Sequence, residues 1–137
     1  MSNYDLTQHA EALAIVRFDA GADLPPWASS GTLLSITATA TETSLVCAAA
    51  VVPAKAPSIG PLIAFEVAGP LDPTLTGVLA GLLTPLAEVE IPVFPLSTHD
   101  TDWILVPEQD AEAAAEEWRR RGHHVHAAPL TSPGASS

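Results

Sequence analysis

The strongest constraint on how this chain folds is an apolar stripe between residues 75 and 89. Leu75, Val78, Leu79, Leu82, Leu83, Leu86 and Val89 fall at i, i+3, i+4, i+7, i+8, i+11 and i+14, the recurrence of one face of an α-helix. A face of that length must be covered by a sheet or by other helices, which the remaining segments have to supply. Gly69-Pro70-Leu71-Asp72-Pro73 interrupts the run before it. With Asp72 as N-cap and Pro73 as first helical residue, a helix is expected to start there, because the carboxylate accepts from unpaired amides and the fixed φ of proline suits the first turn. Pro85 takes one bond from the ladder and presses on the carbonyl of Gly81, which predicts a kink or an early end. Gly77 and Gly81 lie four apart and would let another backbone approach closely, from within the fold or from a second subunit.

Around this helix, residues 62–67 read as a strand, as do residues 91–96, whose Pro92 and Pro95 cannot donate to a ladder and suit an edge. Residues 102–106 form the next strand. A second helix over residues 111–121 is opened by Pro107-Glu108-Gln109-Asp110 and carries Arg119, Arg120 and Arg121 in its last turn, the charge order that the helix dipole favours. Gly122 ends it, and residues 123–126 return as a strand. The order strand, helix, strand, strand, helix, strand is the ferredoxin-like βαββαβ sequence. Upstream, residues 13–18, 33–38 and 44–47 are strand-like, with hairpin spacing between the last two and no long helix. That half looks like an abbreviated copy of the second.

The expected class is therefore α+β: an antiparallel sheet with helices on one face, a flexible stretch over residues 1–11, an abbreviated module over 12–58, a complete module over 59–126 and a disordered tail over 127–137. The Pro- and Gly-containing segment 53–61 reads as the linker between modules.

Five Lys and Arg against sixteen Asp and Glu leave a formal charge of −11. Phosphate backbones would be repelled over most of such a surface, so no nucleic-acid partner is expected. No apolar run is long enough to span a bilayer, so no membrane partner is expected either. Residues 1–10 lack a basic stretch leading into an apolar core, and the expected location is the cytoplasm. The single Cys47 lies in an apolar run and reads as a buried, unreactive thiol. Trp27, Trp103 and Trp118 read as packing residues, with Trp103 facing away from the side of its strand that Asp102 uses.

Three segments carry a resemblance to a known family: Gly69-Pro70-Leu71-Asp72-Pro73-Thr74-Leu75-Thr76-Gly77, then Leu83-Thr84-Pro85-Leu86-Ala87-Glu88, then Val93-Phe94-Pro95-Leu96-Ser97-Thr98-His99-Asp100-Thr101-Asp102. With Trp27-Ala28 and Leu34-Ser35-Ile36-Thr37 in the first half, the chain resembles small tandem ACT-domain proteins, related to the regulatory part of aspartate kinases and to animal cytosolic arginine sensors. The resemblance covers roughly residues 13–126. It implies paired modules, a homodimer, and a small effector, typically an amino acid, bound where the loop after a first strand and the start of its helix face a neighbouring module.

On that basis the amides of Gly69, Pro70's neighbours Leu71 and Asp72, and Thr74 would receive a carboxylate at a helix N-terminus. Asp102, with Asp100, would accept from an ammonium or guanidinium group, and Ser97, Thr98 and the backbone at His99 would complete the polar ring. His99 stands where relatives often have an aromatic residue, a departure that bears on ligand preference. The plainer readings are that Asp72 only caps a helix and that residues 97–102 only form a hydrogen-bonded turn. The acids favour a cationic or zwitterionic effector, with arginine and lysine the first candidates.

His123, His124 and His126 invite a metal reading, but no acid or thiol sits at a ligand interval from them, and an exposed edge strand accounts for them instead. No nucleophile elbow or phosphate-binding loop is present. The expectation is a sensor or regulatory protein without catalytic residues, metal or cofactor, acting on a regulated protein partner. The alternative is an interaction or oligomerisation module with a vestigial pocket.

Overall fold

A computed structural model describes residues 3–28 and 31–128. The elements run β1 (Asp5–Gln8), β2 (Leu13–Asp19), β3 (Ser35–Ala38), β4 (Glu42–Ala48), β5 (Ser58–Val67), α1 (Val78–Glu88), β6 (Phe94–Ser97), β7 (Asp102–Pro107), α2 (Ala111–Arg120) and β8 (His124–Ala127). From β5 onward this is the expected strand, helix, strand, strand, helix, strand order, and β2, β3 and β4 form the shorter half.

All eight strands belong to one sheet, ordered β3-β4-β2-β5-β1-β8, with β7 on the other edge of β5 and β6 beyond it. The ten-residue β5 is its spine. Leu62 pairs with Leu13 of β2 on one side and with Pro107 of β7 on the other. Farther along, Phe65, Glu66 and Val67 pair with β1. Thus β1 and β2 run in succession along a single edge of β5, both antiparallel to it.

The first layer of the core lies between the sheet and the helices. Phe65, Ile104 and Leu6 from the strands meet Val78, Leu82 and Leu86 of α1 and Ala114, Ala115 and Trp118 of α2. Trp118 is fully buried; its ring meets Phe65 edge-on with centroids 4.9 Å apart, and its indole N–H donates to the carbonyl of Leu82 at 2.8 Å. That bond satisfies the one polar atom that burial of the ring would leave unpaired. On the opposite face Leu62, Ala64, Trp103 and Leu105 pack with Leu13 and Leu33. A third cluster around Val16 and Cys47 includes Phe18 and Trp27. Burial raises the Cys47 thiol above its ordinary pKa, in keeping with an unreactive side chain.

Several expectations change. Residues 5–8 are not irregular: they form β1, inserted between β5 and β8, and the β1–β8 pairing is the sheet's one parallel pair among the described residues. The stretch is too polar for pattern reading because of Asp5, Thr7 and Gln8, yet Leu6 alone supplies the inward side chain and is fully buried. Part of the expected linker, residues 58–61, belongs to β5. Leu33 and Leu34 precede their strand, and β6 begins only at Phe94, after Pro92. Tail residues 129–137 lie outside the described residues.

The helix α1 begins after Gly77, not at Asp72 and Pro73. Gly77 adopts φ +78°, a left-handed conformation that favours glycine. Pro85 neither ends nor shortens the helix, which continues to Glu88. Proline deprives the carbonyl of Gly81 of its partner, but Gly81 is exposed, so water can take that place. Nothing in the chain lies within 4 Å of where a Cβ on Gly81 would stand, so that glycine does not serve packing inside the fold.

Candidate functional site

Above the sheet, the segment leaving β5 meets the loop between β6 and β7. The N–H of Leu71 donates to the carbonyl of Asp100 at 2.7 Å, and the hydroxyl of the buried Thr101 donates to the carbonyl of Val67 at 2.6 Å. Gly69 makes this approach feasible, since a Cβ there would stand 3.0 Å from the carbonyl oxygen of Asp100 and 3.0 Å from the Cβ of Thr101. Two segments thirty residues apart in sequence thereby become the walls of one groove.

The groove encloses a cavity of about 320 Å³ lined by Leu71, Asp72, Pro73, Leu75, Gly77, Val78 and Leu79 on one wall and Thr98, His99, Asp100, Thr101 and Asp102 on the other. Of the residues expected at the site, Leu71, Asp72, Thr98, His99, Asp100 and Asp102 come together there. Gly69 and Pro70 do not line the cavity, Thr74 is turned to Asp72, and Ser97 stands outside the lining as a partner of Asp102. Sequence reading missed Pro73, Leu75 and Thr101, and also Gly77, Val78 and Leu79, the last three because the first helical turn was placed five residues too early.

Each polar residue has a defined neighbour. Asp72 Oδ1 accepts from the Thr74 N–H at 2.9 Å and the Thr74 hydroxyl at 2.7 Å. These bonds, the hydroxyl foremost and then the amide, hold the exposed Asp72 carboxyl below its ordinary pKa. Asp72 therefore caps a turn, closed by Leu75 N–H to its carbonyl at 3.0 Å, rather than a helix. The Ser97 hydroxyl donates to Asp102 Oδ1 at 2.6 Å, which leaves Oδ2 of the half-buried Asp102 for another donor. Thr98 and Thr101 close the loop, Thr98 N–H to Thr101 carbonyl at 2.8 Å. The His99 ring is exposed, with Nδ1 2.9 Å from Asp100 Oδ1.

The groove thus has two chemical ends. At the start of α1 the first amides have no intrahelical acceptor and carry the positive end of the helix dipole. Across from them stand the carboxylates of Asp100 and Asp102, and no Lys or Arg lines the cavity. Among the described residues no three His, Cys, Asp or Glu side chains come together as a metal site, and no helix is long and apolar enough to cross a membrane.

Comparison with known proteins fits this architecture. A family model of the ACT domain matches residues 58–116. Residues 58–116 are an ACT domain. A second model, of an N-terminal domain, matches residues 11–55, ahead of the ACT match. No curated protein matches the chain in sequence. Among solved structures, a protein of Agrobacterium tumefaciens is 28% identical with a TM-score of 0.88, over 95% of this chain and 97% of that one. A protein of unknown function from Vibrio cholerae is 18% identical with a TM-score of 0.62, over 84% and 88%. The regulatory subunit of aspartate kinase from Thermus flavus is 10% identical with a TM-score of 0.56, over 87% and 96%. At such identities the last two speak for the fold alone. The ACT match makes this a regulatory, ligand-binding type of domain.

Proposed function

We propose that the chain is an effector sensor that takes a free amino acid, with a cationic or zwitterionic group, into the groove between residues 71–79 and 98–102. The observation that carries this reading is the opposition of unpaired amides at the start of α1 to the carboxylates of Asp100 and Asp102 across one cavity. An α-carboxylate suits the first end and an ammonium or guanidinium group the second. Ligand binding then shifts the population of conformers, or the affinity for a regulated partner, by its differential affinity for the two states.

One observation favours the second reading, an oligomerisation module with a vestigial pocket. Leu75 and Val89 are 52% and 43% exposed, and Gly81 between them has open space over it, a surface that a second copy would cover in a homodimer. The two readings separate in a thermal-shift screen of the common amino acids. A ligand at ~100 times its dissociation constant stabilises the native state by about 2.7 kcal/mol. A selective shift supports the sensor. No shift from any amino acid, with none co-purified, supports the oligomerisation module.

A further inference from the structure

Four of the chain's five histidines cluster at β1 and β8: His9 just after β1, His123 just before β8, and His124 and His126 within it. Among the described residues β8 joins the sheet through β1 alone, and Val125 ties it to the helices, through the core and through Arg119.

His123 is only 7% exposed. Its Nδ1 accepts from the backbone N–H of Tyr4 at 3.0 Å, and its ring stacks on the Tyr4 ring with centroids 5.7 Å apart. The next residue grips the same place: the N–H of His124 donates to the Tyr4 carbonyl at 3.0 Å. Both backbone groups of Tyr4 are therefore bound at the point where the chain enters β1. An imidazole nitrogen accepts only while it is unprotonated, and in the imidazolium both nitrogens are donors. A proton added to Nδ1 would set two N–H groups against each other in a buried place.

We propose that His123 is a proton-operated latch between the entries of β1 and β8: its neutral ring binds Tyr4, and protonation from solvent frees Tyr4 and loosens the β1–β8 edge of the sheet, while β1 keeps its pairing with β5. The titratable and charged groups on the surrounding elements are His124 of β8, the Tyr4 phenol and Asp5 of β1, and Arg119 and Arg121 at the end of α2. Arg119 is engaged with the Val125 carbonyl and Arg121 with Glu88 and Glu117. Desolvation foremost, with the charge of His124 added, holds His123 below its ordinary value of 6.5. The sign follows: the folded state disfavours the charged ring, so the latch's contribution is complete above about 6.5 and is lost as pH falls from there toward the depressed folded value.

The far end of β1 is anchored separately. His9 stacks on Trp103 with centroids 5.1 Å apart, and its Nε2 lies 3.0 Å from Glu66 Oε1. Loosening therefore begins at Tyr4, and β1 remains tethered at His9. The rings of His124 and His126 stack on one another with centroids 6.3 Å apart and make no hydrogen bond with Tyr4.

The test is amide hydrogen exchange on the full chain from pH 7.5 to 5.0, expressed as protection factors. The expected result is at least a tenfold loss of protection in the β1–β8 pairing, with β2 and β4 unchanged. His123→Asn keeps an acceptor near the position of Nδ1 and does not titrate, so its protection should be independent of pH; His124→Gln with His126→Gln should retain the loss. Unchanged protection in the wild type, an equal loss in His123→Asn, or abolition of the loss by the His124 and His126 pair would overturn the latch. Should His123→Asn not fold, the wild type decides by NMR: the His123 ring and the Tyr4 amide must titrate with one midpoint, and separate midpoints would overturn it.

Discussion

Leu71 and Asp100 are joined by a 2.7 Å bond from the N–H of one to the carbonyl of the other, and the groove exists because its two walls are tied there. Gly69 is the residue that permits the tie. In Gly69→Ala the new Cβ would stand 3.0 Å from the Asp100 oxygen and from the Cβ of Thr101, so the walls must part by a few tenths of an ångström. We expect a loss of about 1–3 kcal/mol in urea unfolding, together with weaker effector binding. A variant as stable as the wild type would show that the walls are not held by this contact.

Thr101 supplies the second tie. Thr101→Val keeps the shape of the side chain but removes the hydroxyl that donates to the carbonyl of the buried Val67. The expected cost is about 0.5–1.5 kcal/mol. Thr101→Ser, which keeps the hydroxyl, should recover most of the hydrogen-bond part of that loss in the same unfolding measurement.

Asp102→Asn separates charge from geometry. Asparagine retains an oxygen to accept the Ser97 hydroxyl, which now reaches Asp102 Oδ1 at 2.6 Å, while the negative charge disappears. Calorimetry should show an amino-acid effector with a cationic group binding roughly 10- to 100-fold more weakly, the worth of a hydrogen bond to a charged group, with thermal stability little changed.

Much of this architecture is legible in the residues. The α1 stripe, the acid-to-arginine order of α2 with Gly122 after it, and the continuous apolar run of β7 from Trp103 to Val106 each express a pattern or a cap that local physics dictates. The insertion of β1 is not legible, because four residues with one inward leucine give no pattern, and their place between β5 and β8 is fixed by distant partners. The start of α1 was misread for a related reason. Asp72-Pro73 has the chemistry of a helix opening, yet Thr74 satisfies Asp72 locally, and the helix starts only after the left-handed Gly77, five residues later. Six of the ten expected site residues still reach the groove, because the bond from the Leu71 N–H to the Asp100 carbonyl, and not the start of the helix, sets the two loops side by side.

The Asp72 turn carries its own pH signature. Its carboxyl is held below the ordinary value of 3.8 by the bonds from Thr74. A lowered folded value means that the turn's stabilisation is present above about 3.8 and is lost as pH falls through the folded pKa. The Thr74 amide shift should therefore titrate with a midpoint below 3.8, whereas a midpoint at or above the ordinary value would mean that the carboxylate is not bound there.

The most direct measurement of the central claim is an amide chemical-shift map of the labelled protein titrated with whichever amino acid gives the largest thermal shift. The sensor account predicts saturable changes concentrated in residues 69–79 and 97–102, including Val78 and Leu79 at the start of α1, and their loss in Asp102→Asn. Saturable changes elsewhere, or none with any amino acid, would contradict it.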